Sequence, residues 1–455
     1  MTASESRDPT PIWFATGNTW DDVRGQIGEV AARFAEGAGF KPKQGHIQLL
    51  PDATGALAGV LFGEAESSAP EFLPLGAGKL ATGLPAGDYR FANTPGHPEL
   101  ATLGFLLGLY RYDRFKGDKS AQPRLMAPTN VDFAAAERTA RAVAFGRDLV
   151  NAPANALTPS ALEEAAEKLA QVHGGEYQSH VGDALLASNF PLVHAVGVAA
   201  AEAPRLVDFV WGRPDAPKVT LVGKGVVFDS GGLDIKPSSG MELMKKDMGG
   251  AATALTLARL VMEAGLDVRL RVVIPIVENS ISARAMRPSD VVKSRKGLQV
   301  EIGNTDAEGR LILADALAYA AEEKPDLLLD FATLTGAARV ALGPDLPPFF
   351  TEDETLAADL ARASAEVADP IWRMPLWRPY DSYIESRIAD VTNAPASPFA
   401  GSVTAALFLR RFAEGAKAWA HFDLYAWNPS PRAHGPQGGE IQAARAAFAI
   451  LRSRY

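Results

Sequence analysis

Cysteine is absent from the chain. Its absence excludes disulfide scaffolds, cysteine zinc sites, cysteine-ligated iron–sulfur clusters and thiol catalysis. Histidine is scarce: seven residues, at positions 46, 97, 173, 180, 194, 421 and 434, with no two of them three or four apart. That spacing speaks against a histidine-rich zinc site, so any metal should be held mainly by carboxylates. Positive charge is in deficit, with 45 Lys and Arg against 54 Asp and Glu and a net charge of −9. The deficit argues against nucleic acid or an anionic membrane surface as partner. No apolar run reaches the roughly 18 residues that span a bilayer. Met1 to Pro11 lacks the basic start and apolar stretch of a signal peptide. These absences predict a cytoplasmic protein with no membrane partner.

What is present is a globular composition, 47% hydrophobic and 22% charged over 455 residues, enough for two or three domains. The first ~130 residues read as a small α/β unit. Ile47–Leu50 and Leu57–Phe62 look like strands, and Leu103–Tyr112 like a buried helix. Phe115 to Asn130 is polar and broken by Gly117, Pro123 and Pro128, which suggests a linker. Asp132 to Val150 reads as one helix. A second runs from Pro159 to about Val172, with Thr158 as N-cap and Pro159 at the first helical position. From about residue 205, apolar strands and helices alternate. The pattern predicts an α/β fold with a mixed, largely parallel sheet flanked by helices. Ligands in such sheets gather at the carboxyl ends of strands. The expected division is an N-terminal domain over 1–130, a connecting helix over 131–152 and a catalytic domain over 153–455.

Two segments depart from ordinary composition. In the first, Lys224 and Asp229 bracket a short apolar strand, and Lys236 and Asp247 follow among glycine pairs. Charges at the ends of a buried strand are costly unless partnered, and paired glycines let backbone approach closely. Gly223-Lys224-Gly225 does not fit the Walker phosphate loop. Lys–Asp salt bridges with glycine at turns would also produce this pattern. In the second segment, Gly303 to Arg310, Asp306 and Glu308 lie two apart between a strand and a helix. Thr305 and Glu308 also have the spacing of a capping box. Taken together, Asp229, Asp247, Asp306 and Glu308 are four carboxylates near element ends in one α/β region. Packed close they would repel, and cations remove that cost. Carboxylates can bridge two divalent ions in the geometry that activates a shared water.

With these phrases in place, the chain resembles the leucyl aminopeptidases, the cytosolic two-metal exopeptidases. The residues that carry the resemblance are Val222 to Gly232, Lys236, Asp247 to Ala251, Asn304 to Arg310 and Ala332 to Gly336. Arg147 to Asn151, Pro153 and Thr158-Pro159 fit the same pattern, and the match spans about residues 140–425. The resemblance implies that Asp229 and Glu308 bridge two metals, that Lys224 and Asp247 complete one site, and that Asp306 completes the other. The ions would be Zn²⁺ or Mn²⁺, with Mg²⁺ or Co²⁺ as substitutes. It further implies that Lys236 stabilises the oxyanion and that Arg310 holds a bicarbonate acting as general base toward a metal-bridging water. Met244, Thr333 and Leu334 would line the pocket for the first side chain, with Asn304 also on the substrate side.

The implied substrates are peptides with a free N-terminus. The implied assembly is a homo-hexamer, and the implied N-terminal domain is macro-like, although the first ~130 residues carry none of the quoted motifs. Tyr425 to His434 replaces a small-residue segment near the family's substrate pocket, so leucine preference does not follow. His421 reads as a structural hydrogen-bonding residue rather than a ligand. Two other readings stay open: a non-catalytic regulator binding DNA or protein on the same scaffold, and a specialised dipeptidase, for instance one acting on Cys-Gly.

Overall fold

Alternation along short strands builds the first core. In Thr10–Ala15 and Leu57–Gly63, Ile12, Phe14, Val60 and Phe62 point to one face, where they pack with Leu80 and Phe105. Ala15 and Leu61 point to the other, against Val23, Ala35 and Phe40. The computed structural model describes residues 8–117, 120–395 and 397–455. It divides into two compact units. The smaller holds the chain up to Ala144 together with Ser430–Gln437, and the larger holds Phe145–Pro429 and Gly438–Tyr455. The boundary falls inside the helix Phe133–Asn151, whose first turn accepts a cap from Asp132, Ala135 N donating to its carboxylate at 2.9 Å.

The small unit carries a five-stranded sheet in the order Ile47–Pro51, Leu57–Gly63, Thr10–Ala15, Gly87–Phe91, Pro123–Leu125. Only the first pair is antiparallel. The stretch expected as a linker therefore contributes an edge strand. Pro123 sits at its first position, where a missing N–H costs no ladder bond. Ser430–Gln437 belongs here too: a Cβ on Gly78 would lie 2.2 Å from the Ala433 carbonyl oxygen. The segment in which the chain departs from its family pattern is thus split, with Tyr425–Pro429 in the large unit and Ser430 onward in the small one.

The large unit is built on a nine-stranded mixed sheet. The path runs Trp372–Arg373, Pro348–Phe350, Trp419–Asp423, Leu327–Ala332, Lys218–Gly223, Arg269–Asn279, Arg205–Trp211, Glu176–Val181, and Gly225–Asp229 pairs with the far end of Arg269–Asn279. The four central strands, from Trp419–Asp423 to Arg269–Asn279, are parallel. The next strand, Arg205–Trp211, runs antiparallel to Arg269–Asn279 and carries Asp208 in the apolar layer. The charge is tolerated because Arg271, on the neighbouring strand, forks onto it at 2.8 and 3.0 Å.

The helices Gly249–Ala264 and Glu308–Glu322 are buried along most of their length, as expected for helices inside a layered fold rather than on its surface. Gly265, at φ +65°, ends the first in a left-handed turn. That helix lies so close to the sheet that a Cβ on Gly250 would be 2.1 Å from the Phe331 carbonyl oxygen, and one on Gly223 2.7 Å from Ala251 Cα. Backbone on both sides cannot yield cheaply. Gly250→Ala is expected to cost about 1–3 kcal/mol, read as a lower urea midpoint with unchanged slope. Among the described residues, no helix is long and apolar enough to cross a membrane.

Candidate metal centre

The carboxyl ends of the central parallel strands converge on one spot. Lys224 follows the strand Lys218–Gly223, where the chain leaves one neighbour and continues beside Arg269–Asn279 as Gly225–Asp229. Its backbone is pinned on both sides: its N–H donates to Phe331 O (2.9 Å), and its carbonyl accepts from Ala251 N (2.8 Å) at the start of a buried helix. The side chain is buried. Its Nζ lies 2.7 Å from Asp247 Oδ2 and 2.9 Å from Glu308 Oε1, and it donates to Thr333 O at 2.9 Å. Gly309 makes room for it, since a Cβ there would sit 2.7 Å from Nζ.

Asp229 closes the strand Gly225–Asp229. Its Oδ1 accepts from Gly231 N (2.9 Å) and Asn279 Nδ2 (2.8 Å), and its Oδ2 lies 2.7 Å from Lys236 Nζ. Gly231 and Gly232, at φ +91° and +64°, bend the chain so that Lys236 returns over Asp229 and also ion-pairs with Asp306. A Cβ on Gly231 would come 2.9 Å from Asp306 Oδ1. One oxygen each of Asp229, Asp306 and Glu308 lies within 4.8 Å of the others.

The capping-box reading fails here. The helix starts at Glu308, with Ala307 as its N-cap residue. Thr305 Oγ1 instead donates to Gly231 O (2.6 Å) and accepts from Asp234 N (2.8 Å), tying the two loops together. Thr158 does precede Pro159 as N-cap, but its hydroxyl contacts Ser160 Oγ and caps no backbone N–H. The salt-bridge reading of the first segment holds: the lysines pair with the acids and the glycines make turns, and those bridges assemble the carboxylate cluster.

The electrostatics show whether cations fit. Asp247 Oδ2, Asp306 Oδ1 and Glu308 Oε1 are buried and receive no aligned hydrogen bond, although lysine amines stand at ion-pair distance. Burial, then the charge of Asp229, pushes the Glu308 and Asp306 carboxyls upward. Burial raises Asp247 as well, against the opposing pull of Lys224. Burial works to lower the two lysines, but the surrounding carboxylates overcome it and hold Lys224 and Lys236 above the ordinary amine range. Negative charge is crowded beyond what two ammonium groups align with. An all-oxygen set with one amine suits divalent ions such as Mn²⁺, Mg²⁺ or Zn²⁺, so the residues fit such a metal. Arg310, two residues beyond Glu308, is buried with Nε and Nη1 unpartnered, and burial pushes it down to about 10 against Glu308 and Asp423. These free donors on a buried cation suit a small anion.

Of the residues assigned to the substrate side, Thr333 joins the cluster directly: its Oγ1 donates to Asp247 Oδ1 (2.9 Å) and lies 3.0 Å from Asp247 O. Met244 opens the turn Met244–Lys246 that delivers Asp247. Leu334 N donates to Asp423 Oδ1 at 3.1 Å. Asn304 turns its side-chain oxygen toward its own loop and accepts from Asp306 N at 2.7 Å. His421 is fully buried and pairs through Nδ1 with Asp330 Oδ1 (2.5 Å), while Trp419 Nε1 donates to the other oxygen (2.7 Å). It acts as a structural residue, as expected.

Three positioning residues escaped the sequence reading. Asn279 binds Asp229 and, through the same amide, Thr305 O (3.1 Å). Asn393 clamps the loop before Glu308, accepting from Gly303 N (2.7 Å) and donating to Asn304 O (2.8 Å) and Ala307 O (3.1 Å). Asp423 accepts from Leu334 N, Thr335 N and Thr335 Oγ1 and so shapes the loop after Ala332. A signal existed for two of them: Asn279 and Asp423 are polar residues closing apolar strands, as Asp229 is.

Comparison with known proteins extends the picture. Residues 144–446 match the catalytic-domain model of the cytosol aminopeptidase family, and residues 17–128 match the N-terminal domain model of M17 aminopeptidases. The probable cytosol aminopeptidase of Roseiflexus castenholzii is 40% identical over 369 residues, covering 77% of this chain and 75% of that protein. The crystal structure of a cytosol aminopeptidase from Coxiella burnetii aligns at TM-score 0.93 and 42% identity, over 99% of this chain and 98% of that one. A bottromycin maturation enzyme, BotP, in complex with Mn aligns at TM-score 0.89 and 33% identity, over 98% of this chain and 99% of that one.

Proposed function

The chain belongs to the cytosol aminopeptidase family, a divalent-metal-dependent peptidase, and from that premise we propose that it releases N-terminal residues from peptides at a dinuclear centre. Asp229, Asp247, Asp306 and Glu308 would hold two ions, with Asp229 and Glu308 shared between them, and Lys224 would join them as a neutral amine once the incoming dications displace its proton. Bound there, divalent ions supply Lewis acidity toward a carbonyl and make water more acidic. The observation that carries the reading is the convergence of Asp229, Asp306 and Glu308 oxygens within 4.8 Å, beside two buried lysines.

The chain's own groups have separable tasks. Lys236 is held by Asp229 and Asp306 and kept protonated, so it presents a fixed positive donor where a tetrahedral oxyanion would develop. Arg310 would hold a bicarbonate through its free donors, and such an anion would supply a general base toward water. Asn279, Asn393 and Asp423 keep the loops fixed, so that the acids need not reorganise during reaction. Met244, Thr333 and Leu334 would border the first side chain. A cytosolic location and a homo-hexamer of the 48.3 kDa chain belong to the same reading.

The test is hydrolysis of an aminoacyl-amide panel by metal-depleted protein, with Zn²⁺ or Mn²⁺ restored separately. Activity should vanish on depletion and return with at least one ion. No recovery with any divalent ion would refute the dinuclear reading.

A further inference from the structure

One buried charge near the centre has no part in holding the carboxylates. Lys246 immediately precedes Asp247 and is only 6% exposed. Its backbone N–H donates to Leu243 O at 3.0 Å, but among the described residues its side-chain amine has no ion pair and no hydrogen bond. Its neighbour Lys245 is engaged, donating to Asn151 O at 2.7 Å. Lys246 Nζ lies 4.6 Å from the centre of the Tyr425 ring, and Arg339 Cζ lies 5.0 Å from the same centre. Arg339, on the helix Gly336–Leu342, likewise has no carboxylate partner among the described residues.

Two cations on one aromatic ring repel each other, and a ring face offsets less than a carboxylate does. The patch also adjoins the reacting centre. Thr333, which bonds Asp247, and Ala426, next to Tyr425, both close on Gly249, where a Cβ would meet them at 3.0 and 2.4 Å. Exposure grades across it, from solvent-facing Arg339 through half-buried Tyr425 to buried Lys246. Asp247 and Asp423 act on Lys246 only through space, and among the described residues no carboxylate touches its amine. Positive charge graded inward toward a peptidase centre without a direct partner suits an anion that arrives with the substrate.

Resting on the aminopeptidase reading, we infer that Lys246 and Arg339, spaced by Tyr425, bind a substrate carboxylate supplied by the side chain of the first residue, so that the enzyme favours peptides beginning with Glu or Asp. Tyr425 stands in the segment that departs from the family's small-residue pattern.

The experiment measures kcat/KM of the Mn²⁺-loaded full-length protein on Glu-amide, Asp-amide, Gln-amide and Leu-amide, none of which has a C-terminal carboxylate, and on Leu-Gly with a free one. The acidic amides should exceed Gln-amide and Leu-amide by at least about tenfold. Lys246→Met should lower kcat/KM for Glu-amide by about ten- to a hundredfold and raise it for Leu-amide. Arg339→Gln, at an exposed position, should lower Glu-amide turnover several-fold, mainly through KM. Leu-amide turned over faster than Glu-amide, or both substitutions acting equally on all substrates, would overturn the inference while leaving the aminopeptidase reading intact. A preference for Leu-Gly over Leu-amide without a Glu preference would overturn it by placing the carboxylate at the C-terminus. No turnover of any substrate would overturn both readings.

Discussion

The double variant Asp229→Asn/Glu308→Gln is expected to lose aminopeptidase activity by more than about a thousandfold, well beyond the 10–100-fold typical of groups that only support metal ligands. The reason lies in the number of negative charges. Asp229 raises the carboxyls of Glu308, Asp306 and Asp247, so it sits within reach of every other acid in the cluster. Glu308 Oε1 is buried without an aligned donor. Amides at both positions preserve volume and remove two of the charges that draw divalent ions in. Without metal, the variant should fold at least as well as the parent, since like-charge repulsion is relieved. Calorimetry separates this from general damage. The parent's melting temperature should rise with Mn²⁺ by mass action, and the variant's should not. Retained activity, or an unchanged Mn²⁺ shift, would exclude these two carboxylates as the shared ligands.

That cluster was legible in the sequence because each acid occupies a position that ordinary folding disfavours. Asp229 closes an apolar strand, and Asp306 and Glu308 fill the step from strand to buried helix, all flanked by glycine. The residues that position them were not legible. Asn393 reaches Gly303 across 90 positions and Asn279 reaches Asp229 across 50. An asparagine in a loop looks the same whether it clamps another loop or faces water. Thr305 failed for the same reason: its local spacing satisfies a capping box, but a contact with Gly231, 74 residues away, takes the hydroxyl. Local pattern loses whenever a distant partner offers a better bond.

The sheet shows the same division. Long apolar strands such as Leu327–Ala332 declare themselves by burial on both faces. Arg205–Trp211 is harder to read, since Asp208 interrupts its apolar run, and the cross-strand fork from Arg271 is what makes that charge tolerable. In the small unit, Gly87–Phe91 and Pro123–Leu125 are short and polar enough to pass for loop, yet they complete the sheet. The N-terminal region carries none of the quoted motifs, and its family match extends over residues 17–128.

The largest stability effect is expected far from the carboxylates. Arg147 is 1% exposed and forks onto Glu440, Nε to Oε1 at 3.0 Å and Nη2 to Oε2 at 2.8 Å. Glu440 also accepts from Asn428 Nδ2 and from Ile441 N, both at 2.8 Å. Arg147→Met keeps the apolar stem and strips the charge, stranding a carboxylate in a site that cannot hydrate it. The expected cost is about 3–5 kcal/mol, measured by urea unfolding. Arg147→Met/Glu440→Met should be the milder change, because two buried charges leave together and their desolvation cost leaves with them. A single-variant cost below about 1 kcal/mol, or a double variant worse than the single by the full amount again, would show that the pair is not the buried electrostatic joint its geometry describes. The effect should also reach the metal centre. Arg147 shares its helix with Asn151, whose carbonyl accepts from Lys245 in the turn that delivers Asp247. A loosened helix end therefore predicts weaker Mn²⁺ binding by the surviving folded protein, with the carboxylates themselves untouched.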